Sequence, residues 1–124
     1  MTITPMGYSN GQLPVLIVDD DGPTLELYTN ALKAHYRVIA CSNWQDAMEV
    51  LAMQKVELVV VEPSVAGYRA WDALEELIRT HGLSVVICSA LDDRRFGLAA
   101  GALAYLVKPV LPSALLETLN SILS

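Results

Sequence analysis

Positive charge is scarce in this chain. Lysine and arginine supply 8 residues against 14 of aspartate and glutamate, for a net charge of -6 at pH 7. A surface with that balance repels a phosphate backbone, which argues against direct nucleic-acid binding. Cysteine is scarcer still. Cys41 and Cys88 lie in or beside expected strands and have no CxxC spacing. They read as reduced core thiols of a cytoplasmic protein, not as a disulfide or a zinc site. No apolar run is long enough to span a bilayer, so no membrane segment is expected. Residues Met1 to Gln12 lack a basic stretch followed by an apolar one. They read as a flexible leader, not a signal peptide. His35 and His81 fall near expected helix C-termini, where the helix dipole suits them, so metal ligation is the poorer account.

What is abundant is apolar: hydrophobic residues make up 53% of the 124 and charged residues 18%. One domain with one core follows, over residues 13–124, and disorder is excluded. Strand and helix signals alternate along the chain. Apolar strands are expected at Val15-Leu16-Ile17-Val18, at Tyr36 to Ala40, from Val56 to Glu62, from Ser84 to Cys88 and from Ala104 to Val107. Between them, Gly22-Pro23 opens a helix that runs to about His35, with Leu25, Tyr28 and Leu32 on one stripe. Ser42 or Asn43 caps a second helix bearing Trp44, Ala47, Met48 and Leu51. After a Pro63/Gly67 loop, a third helix places Trp71, Leu74 and Ile78 a turn apart and stops near Gly82. A fourth starts around Asp92-Asp93 and ends before Gly101. Pro112 starts a fifth with Leu115, Leu119 and Ile122 inward. β-α units in this order imply right-handed crossovers and a parallel sheet covered on both faces.

Such sheets carry their sites at the carboxyl ends of the strands. Here those ends are Asp19-Asp20-Asp21, Glu62, Ser89 and Lys108-Pro109. Carboxylates, a hydroxyl and an ammonium would thus share one edge.

In order and spacing these motifs resemble the receiver domain of bacterial response regulators. Val-Leu-Ile-Val-Asp19-Asp20-Asp21 is similar to that family's acidic first strand end. Glu57-Leu-Val-Val-Val-Glu62 stands where its phosphoacceptor strand does. Val-Ile-Cys-Ser89-Ala90 and Gly101-Ala102-Leu103-Ala104-Tyr105-Leu-Val-Lys108-Pro109 match its remaining signatures. The resemblance covers roughly residues 13–124. It implies a flavodoxin-like, doubly wound (βα)5 three-layer sandwich with strand order 2-1-3-4-5. It also implies a signalling module, not an enzyme, whose partners are a histidine kinase or an output domain. By the same resemblance Asp19, Asp20 and Glu62, with the carbonyl of Ser64, would hold Mg²⁺. Ser89 and Lys108 would hold phosphoryl oxygens, and Tyr105 would be the aromatic switch that turns inward. Hard oxygen ligands suit Mg²⁺, and a fixed ammonium and hydroxyl suit a phosphoryl group.

The chain departs from the family where it matters most. The phosphoacceptor should be aspartate and is Glu62. One more methylene carries the carboxylate about 1.5 Å further out, and an attack displaced by ~1 Å can cost on the order of 100-fold in rate. Pro63 offers no N–H beside the site, Ala66 replaces the usual loop proline, and Ala70 replaces a glycine. A longer carboxylate could reach Lys108 or Ser89 directly, either as a mimic of a phosphoryl group or as a plain structural salt bridge. The expected function is therefore an atypical receiver that signals through protein contacts without ordinary aspartyl phosphorylation. One alternative is a phospho-switch modified on Glu62. Another is a phosphohydrolase of the haloacid dehalogenase type, suggested by Asp19-x-Asp21-Gly22, in which Asp92-Asp93 would nonetheless stand on the wrong side of Lys108. Finally, from Phe96 to Ser124 the only charged side chains are Lys108 and Glu117. So charge-poor an outer face is expected to build a homodimer or docking surface over residues 91–124.

Overall fold

Three strands bury nearly every residue: β1 (Pro14–Val18), β3 (Leu58–Val61) and β4 (Ser84–Ser89). Such strands need cover on both faces, and the topology supplies it. The computed structural model describes residues 13–123; the expected leader, residues 1–12, lies outside them. The sheet has five parallel strands in the order β2-β1-β3-β4-β5, as the resemblance implies. The edge strands β2 (Arg37–Cys41) and β5 (Ala104–Val107) hold most of the partly exposed strand residues. Between the strands run α1 (Gly22–Leu32), α2 (Trp44–Met53), α3 (Ala70–His81) and α4 (Arg94–Ala99), and α5 (Pro112–Leu123) closes the domain.

Successive strand residues point to opposite faces, so each strand feeds two cores. Leu16, Val18, Val59, Val61, Val85 and Ile87 pack with Ala47, Leu74, Leu77 and Tyr105. Val15, Ile17, Leu58, Val60, Val86 and Cys88 pack on the other face with Tyr28, Leu32, Leu115 and Leu119. Burying one such aliphatic side chain contributes about 1.5–3 kcal/mol, which is why continuous apolar strands win over local turn preferences.

The termini of several elements differ from expectation, each for a tertiary reason. Helix α1 stops at Leu32, three residues before His35, because the chain turns there to drop Tyr36 into the core. The Tyr36 hydroxyl donates to Asn120 Oδ1 of α5 at 2.6 Å. β2 consequently begins at Arg37 and ends at Cys41. β3 is shorter than the apolar run, and the Pro63/Gly67 loop is a 3-10 turn over Pro63–Ala66. Helix α4 starts at Arg94 with Asp93 as its N-cap, in agreement with the expected start around Asp92-Asp93, and the Asp93 N–H is bonded to the Tyr105 hydroxyl at 3.1 Å. Asn43 caps α2 through the Asp46 N–H at 2.8 Å, and Gly82 ends α3 with a φ of 66°. Both agree with the sequence.

Candidate functional site

The register of the sheet brings the strand ends together. Asp19 follows β1, Glu62 follows β3, Ser89 ends β4, and Lys108 follows β5. Backbone bonds lock the four ends: Glu62 N–H donates to Val18 O at 2.9 Å and Lys108 N–H to Ser89 O at 2.8 Å. Asp19, Glu62 and Ser89 are all buried, Asp19 with only 1% of its surface exposed. Charges this dry need partners.

Lys108 is the partner of both carboxylates. Its Nζ donates to Asp19 Oδ2 at 2.7 Å and to Glu62 Oε1 at 3.3 Å. The second oxygen of each carboxylate takes a backbone donor. Asp19 Oδ1 accepts from the Asp21 N–H at 2.9 Å, and Glu62 Oε2 accepts from the Ser64 N–H at 3.2 Å. Burial pulls the Lys108 pKa down, but hydrogen bonds and charge from Asp19 and Glu62 outweigh it, so the ammonium is held above its ordinary value. Of the two partners that the longer Glu62 side chain could reach, it meets Lys108. The Ser89 hydroxyl instead accepts the Leu91 N–H at 3.2 Å.

The remaining expected residues fall around this pair. Asp20 is exposed, and Ser64 lies beside Glu62 with its N–H engaged. Asp19, Asp20, Glu62 and the Ser64 carbonyl offer the hard oxygens that Mg²⁺ favours. Their arrangement does not fit the ion, however, because the Lys108 ammonium stands between Asp19 and Glu62. Among the described residues no three histidine, cysteine, aspartate or glutamate side chains converge closely enough to hold a metal. Tyr105 lies inside, 6% exposed. Its hydroxyl donates to Leu91 O at 2.5 Å and accepts the Asp93 N–H. Leu91 is thereby tied twice, by its N–H to Ser89 and by its carbonyl to Tyr105.

Two contacts escaped the sequence reading. Helix α4 crosses Tyr105 at Gly97, where an added Cβ would sit 2.7 Å from the tyrosine Cδ2. A glycine inside a helical stretch is the one signal that could have flagged it. Cys88 lies behind the site beside Tyr28, and burial pushes its thiol up to about 12. That fits an inert core cysteine. Asp21, part of the Asp19-x-Asp21-Gly22 motif that suggested the phosphohydrolase alternative, caps α1 through the Thr24 N–H at 3.1 Å. The family match below sets that alternative aside.

A polar pocket at the carboxyl edge of a 2-1-3-4-5 parallel sheet defines a flavodoxin-like α/β domain. The family model described as the response regulator receiver domain matches residues 15–120. The chain is 31% identical over 117 residues to the protein PilH of Pseudomonas aeruginosa, covering 89% of this chain and 97% of PilH. It is 29% identical over 105 residues to a probable cyclic di-GMP phosphodiesterase of Vibrio cholerae, covering 80% of this chain but 24% of that longer protein. A response regulator structure from Thermotoga maritima superimposes with a TM-score of 0.79 at 29% identity, covering 88% of this chain and 95% of that one. The chain belongs to the response regulator receiver domain family and is a receiver domain of two-component signalling. Such domains generally signal rather than catalyse, interact with histidine kinases and output domains, and bind Mg²⁺ at this edge.

Proposed function

We propose that this chain is an atypical receiver whose output is a protein contact and does not depend on ordinary aspartyl phosphorylation. One observation carries the reading: the residue at the phosphoacceptor position is Glu62, and its carboxylate is already engaged by Lys108 at 3.3 Å. In the roles that the family implies, Lys108 and Ser89 would receive phosphoryl oxygens. Here Lys108 holds carboxylate oxygens in their stead. A partner that reads the Lys108-engaged state would find it without a phosphoryl group. Asp19, Asp20, Glu62 and the Ser64 carbonyl would hold a divalent cation weakly, and only once Lys108 gives way. Acetyl phosphate labelling tests the reading. Wild type should label poorly, and Glu62→Asp should gain labelling because the shorter carboxylate releases Lys108 and restores the attack distance. Labelling of wild type as fast as Glu62→Asp would favour a phospho-switch on Glu62 instead.

The partner surface is the face over residues 91–124. Leu91, Phe96, Leu98, Leu103 and Leu111 are all exposed there, Leu111 at 69%. We place a homodimer or the docking of another domain on it, since exposed large apolar side chains that gather into a patch mark interfaces. Light scattering at rising concentration should show dimers for wild type and fewer for Leu103→Asp. A wild type that stays monomeric removes the homodimer. The net charge of -6 leaves nucleic acid out of the proposed partners. No helix among the described residues is long and apolar enough to cross a membrane. Two buried free thiols, Cys41 and Cys88, suit a cytoplasmic setting.

A further inference from the structure

By its own residues α4 is a weak helix. It has six residues, with Gly97 in its interior and no side-chain bond at its N-cap. A helix this short does not stand alone in water, and an interior glycine weakens it further. Gly97 is also its one buried residue, so α4 sinks no side chain of its own into the core. Tertiary contacts must hold it. One is the Tyr105 ring beneath Gly97, whose hydroxyl accepts the Asp93 N–H. Another runs to a different helix. The Phe96 ring stacks on the Trp71 indole of α3, with centroids 6.4 Å apart and planes 17° from parallel. That spacing falls in the range of attractive aromatic pairs. The Arg95 guanidinium stands 5.7 Å from the centre of the Phe96 ring, within cation–π reach. Trp71 is a firm anchor, because it lies in the first turn of the twelve-residue α3 and packs against the core. Phe96 keeps 52% of its surface exposed, so the ring contact ties α4 down without burying it.

We infer that the Trp71–Phe96 stack is a latch. It holds α4 on α3 through a contact separate from Tyr105, and its release lets α4 open locally while the sheet and α3 stay folded. Phe96 and Leu98 lie in α4, so the latch also fixes where these two exposed side chains stand. The inference rests on neither the Glu62 reading nor the partner face.

Native-state amide exchange of the full chain tests the latch. The amides to follow are Gly97 and Ala100, whose N–H groups donate to Asp93 O and Phe96 O at 3.0 Å. Trp71→Leu is a change in α3, yet it should speed exchange at these α4 amides by about two- to tenfold, the factor that one aromatic pair is worth. Phe96→Leu should do the same. The double variant should be no faster than the faster single one, because both remove the same contact. Trp44→Leu alters the tryptophan of α2 and should leave the α4 rates as in wild type. In every variant the β3 amides, Leu58–Val61, should exchange more slowly than those of α4. Wild-type α4 rates in Trp71→Leu, a double variant that multiplies the single effects, or equal acceleration by Trp44→Leu each overturns the latch. So does one common rate for α4 and β3, since α4 would then open only with the whole domain. Should Trp71→Leu fail to fold, fluorescence decides. The chain has 2 tryptophans, so in a Trp44→Phe background the emission is that of Trp71 alone. Adding Phe96→Leu must shift that emission to the red, and an unmoved emission overturns the latch.

Discussion

Replacing Gly97 with alanine should destabilise the domain, although alanine is the better helix former. In α4 the new Cβ would lie 2.7 and 2.9 Å from Cδ2 and Cε2 of Tyr105 and 2.8 Å from Cδ1 of Ile87. Carbon atoms prefer about 3.5–4.0 Å, so all three contacts are repulsive. Neither neighbour has room to retreat. Ile87 is wholly buried, and the Tyr105 ring is held at its far end by Leu91 O and the Asp93 N–H. Overpacking of this kind costs about 1–3 kcal/mol. With two anchored side chains to displace, the upper part of that range applies. Helix propensity returns about 1 kcal/mol, leaving a net loss of about 1–2 kcal/mol. In urea, with an m-value of about 2 kcal/mol per molar, the midpoint should fall by roughly 0.5–1 M at unchanged m. Gly22→Ala is the control, because a Cβ there meets nothing within 4 Å, and its midpoint should hold or rise. In a Tyr105→Ala background the cost of Gly97→Ala should shrink, since the ring that it strikes is gone. A Gly97→Ala protein that unfolds at the same urea concentration as wild type, or later, would refute the argument.

Two further outcomes follow from the polar contacts. Asn43→Ala removes the side chain that accepts the Asp46 N–H at the start of α2. It should cost about 1 kcal/mol in chemical denaturation, and Asn43→Asp should keep most of that stability. Lys108 carries a pKa raised by Asp19 and Glu62 against the pull of burial. A raised cation contributes fully below its unfolded value near ~10.4 and loses that contribution as pH rises through the folded value. Wild type should therefore weaken in the alkaline window. Tyr28, whose pKa burial also raises, adds to the same decline. The Lys108 part is the difference between the wild-type and Lys108→Met melting profiles, and parallel profiles above pH 10 would contradict the assignment.

Much of this protein is legible in its residues. Val15 to Val18, Val59 to Val61 and Val85 to Cys88 are apolar throughout, a pattern that only a strand buried on both faces needs. Helical spacing of Leu74 and Ile78, or Leu115 and Leu119, requires nothing beyond local geometry. Once parallel strands are accepted, Asp19, Glu62, Ser89 and Lys108 must share the carboxyl edge. Even the departure at residue 62 is visible without coordinates.

The pairings within that edge are not legible. Lys108 meets Asp19 across 89 positions and Glu62 across 46. No local pattern says whether an ammonium will join two carboxylates or stand apart from them. That depends on side-chain lengths measured across a closed sheet. Ser89 could have met Glu62, but its hydroxyl accepts the Leu91 N–H and Glu62 turns to Lys108. Asp92-Asp93 marks the start of α4 by charge alone, and Asp93 is its N-cap, but the bond from the Asp93 N–H to the Tyr105 hydroxyl is visible only in the tertiary structure. Gly97 reads as a weak helix residue until the ring of Tyr105 is found beneath it. Periodicity and strand-end chemistry are properties of neighbouring residues, so the sequence alone determined the fold and the edge that carries the site. Which donor meets which acceptor is settled only when distant strands close at fixed register, and that left the state of the pocket to the tertiary structure.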